Sequence, residues 1–302
     1  MRKLALNRLD AFFAGIAERE TLYLPVDTPA GAKFEPWERG KTLSDALNTV
    51  RSAKDFFFPQ TENLMDFKTE GKKIEIIDTR RECEDFVIFG VRACDVRSFD
   101  VLDKVFLSEP ADSYYKNRRE HGVIVSLACT KPLETCFCHT FGIDAASPAG
   151  DVTAWKTEDA LYLAANTEKG RALLKLVEDL TEDADEAPVA EQQKVIRARM
   201  KKLPLANLTA EKFGAGKTDE FFGDPAWAEL SQSCLGCGTC TFVCPTCQCY
   251  DIKDFNTGHG VRRFRCWDSC MYSEFTKMSA GQPRLTQLER FRQRFMHKLV
   301  YF

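Results

Sequence analysis

The chain has 302 residues, 44% hydrophobic and 29% charged, with a formal net charge of −3. That length allows one large domain or two ordinary ones, and the near-neutral balance excludes a general nucleic-acid-binding surface. Thirteen cysteines, an odd number gathered in short runs, exclude the paired framework of a small secreted domain. At the N-terminus, apolar residues at helical spacing (Leu4, Leu9, Phe12, Phe13, Ile16) are broken by Arg8, Asp10 and Glu18. This predicts an amphipathic first helix rather than a signal peptide. No run is long enough to span a bilayer. The expectation is a cytoplasmic protein, where thiols stay reduced and clustered cysteines bind metal.

Strand-like runs follow at TLYLPV (21–26), KIEIIDT (73–79), DFVIFGV (85–91) and GVIVSLA (122–128). SFDVLDKVF (98–106) has helical periodicity directly after a strand, which suggests an α/β unit. DVTAWKTEDALYLAAN (151–166) predicts a hairpin turning at Lys156–Asp159, and GRALLKLVEDL (170–180) a helix. TEDADEAPVAEQQ (181–193) is acidic and poor in large apolar residues, a solvated linker or a helix start. After the basic helix QKVIRARMKKL, cysteine and turn residues dominate. The expected organisation is an α/β N-terminal domain over 1–205 and a ferredoxin-like iron–sulfur domain (α+β) over 206–302.

Cys234, Cys237, Cys240 and Cys244 follow C-x2-C-x2-C-x3-C with Pro245 after the fourth, the ferredoxin-type ligand run for a [4Fe–4S] cluster. Gly236 and Gly238 suit a loop whose amides approach the sulfurs without side-chain obstruction. A structural zinc site is the alternative, but zinc knuckles present paired C-x2-C hooks with a longer spacer. In a two-cluster ferredoxin the fourth cysteine ligates the other cluster. Cys244 therefore implies a second cluster, and the first needs a ligand from outside the run. No second run of this kind exists; Cys247, Cys249, Cys266 and Cys270 are the cysteines left nearby.

The stretch CLGCGTCTFVCPTCQCYDIKDF, with RFRCWDSC and ERFRQRFMHK, resembles one family of 4Fe–4S dicluster electron-transfer proteins. The family includes the beta subunit of cytoplasmic sulfhydrogenases and the corresponding iron–sulfur subunit of anaerobic sulfite reductases. KDFFFPQTENL (54–64), FVIFGVRACDVRSFDVLDKVFL (86–107), SYYKNRREHGVIVSLAC (113–129) and ETCFCHTFG (134–142) extend the resemblance over nearly the whole chain. It implies an iron–sulfur electron relay between an FAD-carrying subunit that exchanges electrons with NAD(P)H and a terminal catalyst. That catalyst would be a [NiFe] hydrogenase pair or a sirohaem sulfite reductase. The family pattern continues past the HK of the final helix into a C-x-GCG-x-C-type motif. This chain stops at Phe302, so either a further segment or another ligand set would complete the dicluster. Cys266 stands where the pattern has a basic or polar residue, which puts its ligand role in doubt.

The resemblance also points to four upstream cysteines: Cys94, Cys129, Cys136 and Cys138. Cys94 and Cys129 fall at the C-terminal ends of predicted strands, the sheet edge where ligands gather. Four thiolates there could hold a further [4Fe–4S] cluster, giving two or three in all; the plain alternative is ordinary buried thiols. Cys83 has no companion. GAGKT (214–218) lacks the first glycine of a phosphate-binding loop, Glu211 standing in its place, and reads as a turn. Of His121, His139, His259 and His297, only His139 adjoins a cysteine. Arg262, Arg263, Arg265, Arg290, Arg292, Arg294, His297 and Lys298 form a basic region: a solvated face, a counterweight to cluster charge, or a dock for an acidic partner. No hydrolase-type constellation is present. The remaining readings are a zinc-stabilised scaffold and a cluster acting directly on a disulfide or sulfur substrate.

Overall fold

The structure, a computed structural model, describes residues 1–214 and 216–301, and of Arg81 and Glu82 the backbone alone. Ala215 of the GAGKT stretch and the terminal Phe302 lie outside the described residues. In chain order the elements are β1 (Arg2–Ala5), α1 (Leu9–Ala17), β2 (Thr21–Thr28), β3 (Gly31–Pro36), α2 (Lys54–Phe57), β4 (Thr61–Glu70) and β5 (Lys73–Asp78). They continue with β6 (Phe86–Val91), α3 (Ala93–Phe106), α4 (Ser113–His121), β7 (Gly122–Leu127), β8 (Val152–Lys156), β9 (Ala160–Ala165), α5 (Glu168–Leu176), β10 (Glu182–Asp183) and α6 (Ala187–Met200). The last third adds α7 (Thr218–Phe222), α8 (Ala226–Leu230), α9 (Thr239–Phe242), β11 (Tyr250–Asn256), β12 (Gly260–Trp267) and α10 (Gln287–Leu299). The chain divides into two compact units, one of Met1–Phe58 with Arg80–Leu208, the other of Pro59–Thr79 with the residues from Thr209 onward.

The first unit is built on an eight-stranded sheet ordered β10-β1-β9-β8-β7-β6-β2-β3. Its centre, β2-β6-β7-β8, is parallel, and the flanking pairs are antiparallel. Every residue of β6 and β7 is buried, as expected of parallel strands covered on both faces. Val87 and Phe89 of β6 and Val123 and Val125 of β7 pack with Phe12, Phe13 and Ile16 of α1 and Leu173 and Leu174 of α5. Phe13 meets Phe89 edge-on at 5.1 Å. On the other side Phe57 of α2 meets Phe99 of α3 at 4.9 Å and Phe86 at 5.6 Å. α4 is capped by Asp112, whose Oδ1 accepts from the amides of Tyr114 (3.0 Å) and Tyr115 (2.9 Å). Asp112→Ala is expected to cost about 1 kcal/mol, read as a lower urea midpoint at unchanged slope.

The strands, the helix after β6 and the hairpin at 156–159 form where the sequence predicts them, with α3 reaching back to Ala93. Three expectations need correction. The N-terminus is not helical throughout: Arg2–Ala5 is a strand, held between β9 and β10 by backbone pairing and by Arg2 with Asp183 and Lys3 with Glu182. The acidic stretch 181–193 is not a linker but contains a helix start, the other of its two readings. It supplies β10 and the start of α6, whose Val189, Ile196 and Met200 recur on one face and enter a buried cluster with Trp155 and Tyr162. Finally, a single boundary near Leu205 leaves residues 59–79 with the first domain, whereas sheet pairing places them in the second unit.

That second unit contains a four-stranded antiparallel sheet ordered β11-β12-β4-β5. β12 pairs with β4 along Gly260↔Lys68 to Cys266↔Thr61, so an early segment completes a late sheet. Arg265 and Glu62 form a buried ion pair across it, Nη2 to Oε2 at 2.5 Å and Nε at 2.7 Å. Arg262 pairs with Asp66 and Arg263 with Asp254. The strand half of the basic region is thus consumed in holding the sheet together.

Candidate metal centres

All thirteen cysteines are outside disulfides. They fall in two groups, one in each unit, with Cys83 and Cys266 apart from both. Cys266 lies within β12 opposite Asp251 and Thr61, and strand pairing fixes it in the sheet rather than in the cysteine loop.

In the second unit, residues 234–249 form a loop interrupted only by the short α9. Gly236 and Gly238 have φ of +67° and +75°, a left-handed backbone that lets the chain wrap tightly. A Cβ on Gly236 would lie 2.9 Å from Gln287 Oε1, and one on Gly238 would lie 2.7 Å from the Tyr272 ring. Tyr272 donates its hydroxyl to the Cys237 carbonyl at 3.3 Å. Below the loop, the buried Thr241 hydroxyl donates to the Gly238 carbonyl (2.7 Å) and meets the Ser269 hydroxyl at 2.8 Å. The serine of WDSC therefore ties Cys270 and the cysteine loop to one buried polar anchor.

The structure brings Cys240, Cys244, Cys247, Cys249 and Cys270 into one neighbourhood. Cys244 and Cys247 share a hydrogen bond that lowers the pKa of Cys244 and raises that of Cys247. Cys249 and Cys270 do the same, with Cys249 lowered to about 7 and Cys270 raised. Cys247 in turn acts electrostatically on Cys270, joining the two pairs. Cys234 and Cys237 are on the same loop but outside this knot. Cys234 Sγ accepts from Gln287 Nε2 at 3.1 Å, and exposed Cys237 lies 3.3 Å from the Thr239 hydroxyl, which lowers its pKa.

In the first unit, Cys94 sits in the first turn of α3, just after β6, and Cys129 two residues beyond β7. These are the C-terminal ends of adjacent parallel strands. Cys129, Cys136 and Cys138 border the cluster of Trp155, Tyr162 and α6. All four thiols interact electrostatically. Cys94 is exposed at the surface, yet crowding by the surrounding protein and the charges of Asp95, Cys129 and Cys138 raise its pKa, while burial pushes Cys129 up to about 11 against the pull of Arg92. Arg92 is anchored by donation to the carbonyls of Ala46, Leu47, Leu127 and Ala128 at 3.1–3.4 Å. It sets a cation beside the thiols. Both ring nitrogens of His139 are buried and have no hydrogen-bond partner, an unusual state for imidazole beside Cys138.

Among the described residues no group of three or more His, Cys, Asp or Glu side chains is drawn together closely enough to hold a metal ion. Thiol-only donors spread along a tight glycine-bearing loop, with Gln287 donating to Cys234 Sγ and Arg294 to Cys247 Sγ, fit a polynuclear iron–sulfur group. Gln287, Ser269 and Thr241 bond to the cysteine loop, and the sequence alone does not single them out. For Gln287 the spacing with Arg294 and Lys298 on one helical face is a hint, and that signal needs the tertiary contact to acquire meaning.

The 4Fe–4S dicluster domain family model matches residues 233–302, which supports at least one [4Fe–4S] cluster in the second unit. No solved structure matches the chain, and no described helix is long and apolar enough to cross a membrane. The sulfhydrogenase 2 subunit beta of Pyrococcus furiosus is 31% identical over 303 residues, covering 98% of this chain and 87% of that protein. With likeness sustained from end to end and not confined to the cysteine loop, the chain belongs to the family of 4Fe–4S dicluster electron-transfer proteins that contains the sulfhydrogenase beta subunits.

Proposed function

We propose that this protein is the iron–sulfur electron-transfer subunit of a cytoplasmic multisubunit oxidoreductase. It would stand between a reductase subunit that binds FAD and NAD(P)H and a catalytic partner of hydrogenase or sulfite reductase type. The observation that carries the reading is the loop of Cys234, Cys237, Cys240 and Cys244, closed by left-handed glycines and met by Gln287 on Cys234 Sγ and, just beyond the run, by Arg294 on Cys247 Sγ. Bound there, [4Fe–4S] clusters supply one-electron transfer. Cys247, Cys249 and Cys270 stand beside that run as ligands for the second cluster.

The chain's own residues do the holding and tuning. The thiolates supply the ligands, and Gly236 and Gly238 keep the loop free of side chains on its inner turn. The Thr241–Ser269 anchor fixes the distance between loop and WDSC turn. In the first unit Cys94, Cys129, Cys136 and Cys138 form the candidate for a further cluster. Arg92 offsets negative charge there, and the unpartnered His139 ring is available as a donor to a bound group.

The test is the anaerobically purified protein. It should be brown, bleach with dithionite and carry about four iron and four sulfide per cluster. Cys237→Ser should abolish NAD(P)H-coupled turnover of the assembled complex while leaving the first unit folded by circular dichroism. A colourless protein with stoichiometric zinc, or full coupled turnover in the variant, would reject the reading.

A further inference from the structure

Three polar side chains of α10 address the cysteine loop. Gln287 Nε2 donates to Cys234 Sγ at 3.1 Å. Arg294 donates Nη1 to Cys247 Sγ at 3.3 Å and Nη2 to the Cys240 carbonyl at 2.7 Å. Lys298 Nζ donates to the Thr246 hydroxyl at 2.5 Å, and its charge acts on Cys244 and Cys249. These residues are spaced by seven and by four, so at 3.6 residues per turn they occupy a stripe about 40° wide. Phe291 and Phe295 run along one flank of the stripe and meet Trp227, while Met296, on the opposite side of the helix, is fully buried. A capping box of Thr286 with Glu289 fixes where the helix begins, and hence the phase of the stripe.

The geometry points to this stripe as the element that sets the reduction potentials of the two clusters, with Gln287 acting at the Cys234 end and Arg294 with Lys298 at the Cys244–Cys249 end. The inference rests on the iron–sulfur reading above. Adding one electron to a thiolate-bound cluster increases its negative charge, with no bond of the chain formed or broken. A hydrogen bond or cation on the ligand sulfur favours that more negative state and raises the potential. Arg294 contributes both effects from a partly buried position, where solvent screening is reduced. Gln287 contributes only a neutral hydrogen bond. The two ends are therefore biased unequally, and the Arg294 end is the more easily reduced.

The test is an EPR-monitored redox titration of the full-length protein, with iron counted in every sample. Arg294→Gln should require about a tenfold higher ratio of reductant to oxidant for half-reduction of one cluster signal, equivalent to ~59 mV more negative for a one-electron couple. Arg294→Lys should recover most of that loss, and Gln287→Leu should lower the other signal by less. Unchanged midpoints at full iron content in Arg294→Gln would overturn the inference. If Arg294→Gln fails to retain iron, Gln287→Leu carries the test, and an unchanged midpoint there overturns it. Wild-type protein without iron would instead overturn the underlying reading.

Discussion

Glu62→Ala is expected to destabilise the second unit by about 3–5 kcal/mol, the cost of leaving one member of a buried ion pair uncompensated. The carboxylate and its partner Arg265 expose only 5% and 3% of their side chains, so water cannot replace the missing charge. Arg265 also lies over the Tyr250 ring at 5.6 Å, which makes retreat into solvent costly in packing as well. Because the pair spans β4 and β12, its loss should loosen the pairing that recruits residues 59–79 into the sheet. Against a typical total of about 5–15 kcal/mol, that loss is a large fraction. The check is a two-probe thermal melt: cluster absorbance should be lost well below the wild-type temperature, ahead of the far-ultraviolet signal. The double variant Glu62→Met, Arg265→Met should regain much of the stability, since neither charge is then stranded. A Glu62→Ala melt matching wild type would remove the ion pair from the stabilising interactions.

The second large effect is expected from Gly238→Ala. A left-handed backbone costs an alanine about 1–2 kcal/mol, and the new methyl would sit 2.7 Å from the Tyr272 ring. The ring can rotate away, but only by giving up the hydroxyl's hydrogen bond to the Cys237 carbonyl. The Gly238 carbonyl is held by the Thr241 hydroxyl, which also bonds to Ser269, so the strain cannot be relieved by sliding the loop. The variant should fold and yet retain several-fold less iron and sulfide after reconstitution. Gly223→Ala is the control: it has φ of −90° and no atom near its would-be Cβ, and it should reconstitute as wild type. Equal iron in Gly238→Ala and wild type would show that the loop does not need this conformation.

How much of the fold is legible in the residues follows the range of the interactions that decide each element. Phe86–Val91 and Gly122–Leu127 are continuous apolar runs because both faces are covered, and 156–159 turns between strands that pair with each other; such signals are local. The cysteine spacing is local too. β4 and β12 are different, since their pairing joins residues such as Glu62 and Arg265 across 203 positions, and neither strand advertises its partner. β1 is hidden in the sequence because its short apolar pattern merges with that of α1, while the acidic residues that hold it lie near position 182. The candidate centres divide in the same way. The candidate ligands are marked by their spacing, but the donors that act on the sulfurs come from a helix 53 and 47 residues further along the chain.

The insertion of β4 and β5 also has a bearing on how the molecule can be taken apart. The backbone passes from one unit to the other three times: after Phe58, after Thr79 and after Leu208. A protease cut at the last junction would leave the later fragment with no peptide tether, held through the pairing of β12 with β4, which stays joined to the first unit by the other two crossings. A gene fragment starting at Thr209 would encode the whole cysteine loop and yet leave one side of β12 open to any exposed strand in its surroundings. The smallest excisable iron–sulfur module is therefore a spliced one, with residues 59–79 grafted back by a linker.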